Sequence, residues 1–295
     1  MKMVFLLGSI MPFSLAQAGK PWPRLVDVVV RSSVTATVAG EYVYIYTLNN
    51  SPKNEMFLYT FEVDLRKNPQ SHPLSREDVG IEHDIQAHSL AITGSDQIRS
   101  VQIFSPLAWQ SGGQYAAWSS RHIGERANWL QPGDNISGFG LRTKEPPGIR
   151  RFRTGGMNWD FYSLPEQFDL PKGKKDFDLE VDRGIEFLGQ TLAPVSPPDP
   201  FTSSTWTARM LSDATEAHKL GWIKSDQQLE KIKKLISDLN TQDKKKLKKS
   251  VEGIEKYVLK EKKKGNLTDE ADALVRLNAL YLLDRLEEKN KKEKK

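Results

Sequence analysis

The chain is 295 residues long, 38% hydrophobic, and carries a formal net charge of +5, so it has apolar residues enough for packed cores. It contains no cysteine, which excludes a disulfide scaffold and a thiol nucleophile and requires each folded unit to be held by its own apolar core. The charge is unevenly placed: residues 201–295 hold 23 Lys and Arg against 16 Asp and Glu, whereas residues 1–200 hold 20 against 22.

Residues 1–18 open with Lys2, run through apolar sequence from Met3 to Leu15 and end on Ala16-Gln17-Ala18, which matches the small-x-small rule for cleavage. The run is shorter than the roughly 20 residues that span a bilayer. It reads as a signal peptide, with the mature chain beginning near Gly19 and a secreted or periplasmic location expected. No other stretch is apolar and long enough to cross a membrane, and export argues against nucleic acid as a partner.

From Lys20 the sequence is aromatic, β-branched and punctuated by turn residues. Glu41 to Leu48 places Tyr42, Tyr44, Tyr46 and Leu48 on one face of a strand and Val43, Ile45 and Thr47 on the other. In the next run Phe57, Tyr59, Phe61, Val63 and Leu65 are expected inward, with Thr60, Glu62 and Asp64 outward. The turn-rich segment from Asn49 to Glu55 predicts a hairpin between the two. Further strands are expected at Leu25–Val30, Ser33–Val38, Ser100–Phe104, Gln114–Ser119, Ile136–Arg142 and Phe177–Val181, with a long polar connection over Arg66–Ser89. Short strands with no helical period between them favour an antiparallel sandwich of immunoglobulin-like topology.

Several clusters in this part could carry chemistry. Glu82-His83-Asp84 with His88 brings two imidazoles near carboxylates, but the spacing fits no standard metal motif and reads as a solvated loop. Asp176, Asp178, Glu180 and Asp182 alternate with apolar residues, as a calcium-binding oxygen cluster or a charged edge strand would. Trp109, Trp118, Trp129 and Trp159 form a sugar-stacking platform if exposed and ordinary core if buried. Arg150-Arg151-Phe152-Arg153 reads as a basic strand facing solvent. No G-x-S-x-G, phosphate loop or dinucleotide turn occurs, so no enzyme, cofactor or metal is expected.

Between Ala193 and Pro200 there are four prolines in eight residues, a composition that favours an extended spacer. The expected plan is a signal peptide over 1–18, a β domain over 20–191, a Pro-rich linker over 192–202 crossed by few contacts, a helical domain over 203–290 and a basic tail over 291–295. The fold class is therefore all-β plus all-α, an Ig-like β-sandwich followed by a small helical bundle.

The helices have legible starts and stops. The first runs from Ser203 or Ser204 to Leu220-Gly221, and the second starts at a Ser225/Gln228 capping box and carries Leu229, Ile232, Leu235, Ile236 and Leu239 on one face. The third is capped by Thr241, carries Leu247, Val251, Ile254 and Val258, and is otherwise mostly lysine. The fourth is capped by Thr268 and runs to Leu286, with Asn278 satisfied inside the bundle. Lys244, Lys245, Lys246, Lys248, Lys249, Lys260, Lys262, Lys263 and Lys264 are the candidate contacts to an anionic surface. Lysine's compact, hydrated charge suits loose contact of that kind better than planar recognition.

Two resemblances follow from these residues. The Tyr-rich strand, the strand closing on Val63-Asp64-Leu65 and the turn Leu130-Gln131-Pro132-Gly133-Asp134-Asn135-Ile136 resemble Ig-like sandwiches of bacterial surface and secreted proteins. Leu220-Gly221-Trp222-Ile223, followed by Leu267-Thr268, Glu270-Ala271, Leu274, Asn278-Ala279 and Tyr281-Leu282, resembles FIMAH or FIVAR-type helical modules of secreted bacterial proteins. The second resemblance implies an attachment or spacer role, often beside carbohydrate-active domains, with no catalytic residues. The expected function is an exported, non-enzymatic binding or structural protein that engages an anionic polysaccharide or cell-envelope surface. The alternative is a carbohydrate-binding accessory protein using the tryptophans.

Overall fold

The structure, a computed structural model, describes residues 23–65, 102–106, 109–112, 116–120, 129–158 and 186–293. Within them lie nine strands: β1 (Val28–Ala36), β2 (Tyr42–Asn50), β3 (Phe57–Val63), β4 (Gln102–Phe104), β5 (Trp109–Gly112), β6 (Ala116–Ser120), β7 (Asn135–Thr143), β8 (Pro147–Met157) and β9 (Glu186–Pro194). They form two antiparallel sheets, in the orders β1-β2-β7-β4 and β5-β6-β3-β8-β9.

Alternation along β2 buries Tyr44, Tyr46 and Leu48, and Phe139 of β7 joins them. From the other sheet, Phe61 and Trp118 stack with ring centroids 5.2 Å apart. Tyr46 and Phe139 meet these two rings tilted or edge-on at 5.3–6.0 Å. Each such pair contributes about 0.5–1.5 kcal/mol beyond its area burial, so the ring cluster joins the two sheets.

Several expectations are corrected. β2 and β3 are not a hairpin: β2 pairs with β1 and β7, whereas β3 pairs with β6 and β8. The segment between them carries the chain from one sheet to the other and is held by side-chain amides. Asn50 Nδ2 donates to the carbonyls of Met56 and Leu130 at 2.8 and 3.0 Å, and Asn54 Oδ1 accepts from the amides of Val26 and Asp27 at 2.8 and 3.1 Å. The two strands expected on either side of Arg31 are one, because Ser32 takes an inward place in the alternation. A register shift between Leu58 and Thr60 reverses the parity of β3, which buries Leu58 and leaves Phe57 and Tyr59 half-buried. β5 and β9 were not among the expected strands, and β8 extends the basic strand expected at Arg150-Arg151-Phe152-Arg153 to Pro147–Met157.

The helical part comprises α1 (Ser203–Lys219), α2 (Asp226–Ser237), α3 (Lys244–Lys263), α4 (Asp269–Asp272), a π-helical segment (Ala273–Leu277) and α5 (Asn278–Glu293). Ser225 and Gln228 form the expected capping box, and Thr268 caps α4. The cap of α3 is Asp243, not Thr241: its Oδ1 accepts from the amides of Lys245 and Lys246 at 2.9 and 3.2 Å. A carboxylate answers the positive helix end better than a hydroxyl does.

Instead of hanging from a free spacer, the helices are seated on the sheets. Leu192, Ala193 and Pro194 finish β9 opposite Ile149, Gly148 and Pro147, and the Val195 amide donates to the Pro146 carbonyl. Glu270 Oε1 accepts the Ser32 amide of β1 at 2.8 Å, and Asn278 Nδ2 donates to the Pro147 carbonyl at 2.8 Å. Gly148 permits the close approach of α1, since a Cβ there would lie 2.4 Å from Val195 Cγ1 and 2.7 Å from Arg209 Nη2. The buried apolar residues of sheets and helices form one connected cluster, so contacts across the Pro-rich stretch are neither few nor confined to the surface. Proteolytic cleavage between Pro197 and Asp199 should therefore leave fragments that co-elute on size exclusion. Gly148→Val should destabilise the intact chain by about 1–3 kcal/mol in denaturant unfolding; fragments that separate, together with a neutral Gly148→Val, would remove the shared core.

Candidate functional site

The apolar stripe of α3, Leu247, Val251, Ile254 and Val258, is buried. The rest of the helix turns outward. Lys244, Lys245, Lys246, Lys248, Lys249, Lys260 and Lys263 are exposed, with no acidic group within ion-pair distance among the described residues. The other two candidates differ. Lys262 Nζ sits 2.7 Å from Asp269 and 2.8 Å from Asp272, and Lys264 Nζ sits 2.9 Å from Glu261, so both ammonium groups are engaged within the fold. Asp272 also accepts Arg276 Nε at 2.6 Å. Burial alone would raise the Asp272 pKa, but the hydrogen bonds from Arg276 and Lys262 outweigh it and hold the carboxyl below its usual range.

One lysine of this face, Lys256, was not among the sequence candidates, although it too is exposed. Seven residues separate it from Lys249 and four from Lys260, a helical spacing that places all three on one side. Lys256 stands apart from the dense lysine runs at the two ends, 244–249 and 260–264.

Trp109, Trp118 and Trp129 are 1%, 1% and 3% exposed, so their ring faces are spent on packing and offer no platform to a sugar. Trp109 meets Phe139 edge-on with centroids 5.0 Å apart, and Trp129 lies 5.9 Å from Phe57. The stacking reading is corrected for these three by their burial against other aromatic rings. Trp159 lies outside the described residues, as do residues 1–22, the Glu82–His88 cluster and the Asp176–Asp182 run. Among the described residues no group of three or more His, Cys, Asp and Glu could hold a metal ion, and no helix is long and apolar enough to cross a membrane.

The basic strand is also corrected. Arg150 and Arg153 are buried, at 5% and 3% exposure. Arg150 Nε reaches toward the Pro194 carbonyl at 3.4 Å. Arg153 bonds Glu186 of β9 and lies 3.7 Å from Glu62 of β3. Glu62 was expected outward, yet it is buried beside its cross-strand partner Arg153. Burial pushes the Glu62 carboxyl up to about 8, with Arg153 opposing the shift and Glu186 adding to it. Arg153, held between Glu62 and Glu186, braces β3, β8 and β9.

Comparison of the chain with family models, curated proteins and solved structures finds no match.

Glu62 carries a pH signature with a defined sign. Its folded-state pKa lies above its unfolded value, so the native state holds a proton that the unfolded chain has lost. Its contribution is complete below the unfolded pKa and fades as pH rises toward about 8. Glu62→Gln, which mimics the protonated form, should flatten the stability profile between pH 5 and 8 by on the order of 1 kcal/mol or more. Parallel denaturant titrations of both proteins across that range check this, and a variant profile as steep as the parent's would place the titration elsewhere.

Proposed function

We propose that this chain is an exported, non-enzymatic binding or structural protein that attaches to anionic cell-envelope or extracellular material through the lysine face of α3. In this reading the two sheets are an Ig-like sandwich and the helices a bundle of the FIMAH or FIVAR kind, the first serving as a rigid mount for the second. The observation that carries the proposal is the set of exposed α3 lysines without acidic partners among the described residues, on a helix whose other face is locked into the core. A helix held in this way keeps its charges in a constant arrangement, so little order has to be gained on binding. The burial of Trp109, Trp118 and Trp129 takes three of the four candidate rings from the sugar-stacking alternative.

Exposed charges are screened over about 8 Å at physiological ionic strength and over about 3 Å in 1 M salt. The full chain should therefore be retained by an anionic matrix at low salt and released as salt rises, and should pass an uncharged matrix at every salt concentration. Replacing Lys244, Lys245, Lys246, Lys248 and Lys249 with glutamine should abolish most of the retention. Retention that neither salt nor replacement alters, or none at all, makes the lysines a solvated surface.

A further inference from the structure

Resting on the anionic-surface reading above, we infer that α3 takes a linear anionic polysaccharide laid along its axis and gripped by a single row of lysines, Lys245, Lys249, Lys256, Lys260 and Lys263. All five are exposed. At about 100° per residue they fall within about 60° of arc, opposite the buried stripe, and the rise from first to last is about 27 Å. Lys244, Lys246 and Lys248 sit about 80° to 120° away around the helix and flank the row instead of extending it.

The gap in the row supplies a second, independent observation. Between Lys249 and Lys256 stands Gly253, in the interior of a 20-residue helix, and a Cβ built there meets nothing within 4 Å. Glycine in a helix interior costs roughly 1 kcal/mol relative to alanine. Here no close packing demands it. Gly253 lies about 20° of arc beyond Lys260 and the exposed Glu252 about 20° beyond Lys245 on the opposite side, so midway along its length the row is bounded by one carboxylate and is open on its other flank, where a polymer backbone can come against the helix itself.

The chemistry of the face selects the polymer. A membrane-lying helix inserts its apolar face, but that face of α3 is buried in the protein and the only large apolar side chain exposed on the outer side is Leu259. Single-stranded nucleic acid is held by aromatic stacking along a basic groove, and the row contains no aromatic residue. The cations of α3 are all lysines, whose freely rotating donors suit carboxylate or sulfate groups presented at variable angles. A row one residue wide matches a single extended glycan chain.

The test uses the full chain with linear oligogalacturonates and heparin fragments in two sizes, one reaching two neighbouring lysines and one spanning the row. The long fragments should bind at least about tenfold more tightly than the short ones. K245Q/K249Q/K256Q/K260Q/K263Q should lose about tenfold or more in affinity for long fragments. A variant with the same loss of charge elsewhere, K53Q/K144Q/K224Q/K231Q/K234Q, should lose less than about threefold. Gly253→Gln should weaken binding while leaving thermal stability equal or raised, which separates obstruction of the row from damage to the helix. Short fragments binding as well as long ones, or equal losses in the row and remote variants, overturn the row while salt-sensitive anion binding stands. Binding to anionic phospholipid vesicles or a single-stranded oligonucleotide but not to long glycans overturns the polysaccharide and keeps the lysine face. Binding to none of these overturns both.

Discussion

The arrangement of the molecule depends on the side-chain amide of Asn278. Its Nδ2 donates to Leu274 O at 2.7 Å and to Pro147 O at 2.8 Å, while its own backbone carbonyl accepts Trp206 Nε1 at 3.0 Å. The π-helical segment explains why the first of these carbonyls is available. At its end the Asn278 backbone amide bonds Val275 O, which leaves Leu274 O for a side chain. One buried residue therefore completes a widened helical turn, ties that turn to the first residue of β8 and anchors the indole of α1. Leaving such buried groups unpaired costs about 1–3 kcal/mol each, so the helices have a preferred seat on the sheets. The lysine row inherits its direction from that seat.

Much of the helical part was legible in the sequence because its signals are local. A serine and a glutamine three residues apart specify the start of α2, and glycines at 221 and 265 take the positive φ that ends α1 and α3. Nothing local announces the π-helical segment, at whose end the Asn278 side chain meets a strand carbonyl 131 residues away. Asn278 illustrates the difference: its burial follows from its place on an apolar face, but its partner lies across the domain boundary.

The strands were harder, for a physical reason. Strand pairing and sheet membership are non-local, so the strong alternation of β2 identifies a strand without saying that its chain neighbour belongs to the opposite sheet. In β8 the alternation is masked by Arg150 and Arg153, which polarity alone assigns to solvent. Arg153 is answered by Glu186 of β9, and a buried pair of opposite charges cannot be told from two exposed ones until register is known. At the candidate site, lysine density marked the helix but not the row. Lys262 and Lys264 look like their neighbours in sequence and differ only through Asp269, Asp272 and Glu261. Lys256 stands alone in sequence and joins the others only once the helix is wound.

The bond between the Ser32 amide and Glu270 joins residues 238 positions apart. It closes an outward-facing amide of β1, an edge strand of its sheet. During synthesis β1 emerges early, and the carboxylate that covers it arrives only when nearly all the chain has been made. Until then the edge can pair with any extended segment nearby, including the same strand of another nascent copy. Long-range closure of this kind slows folding, so the interval of exposure is set by the rate of translation and by any holding factor that meets the unfinished chain. Loss of the last helices from a truncated product would make that exposure permanent.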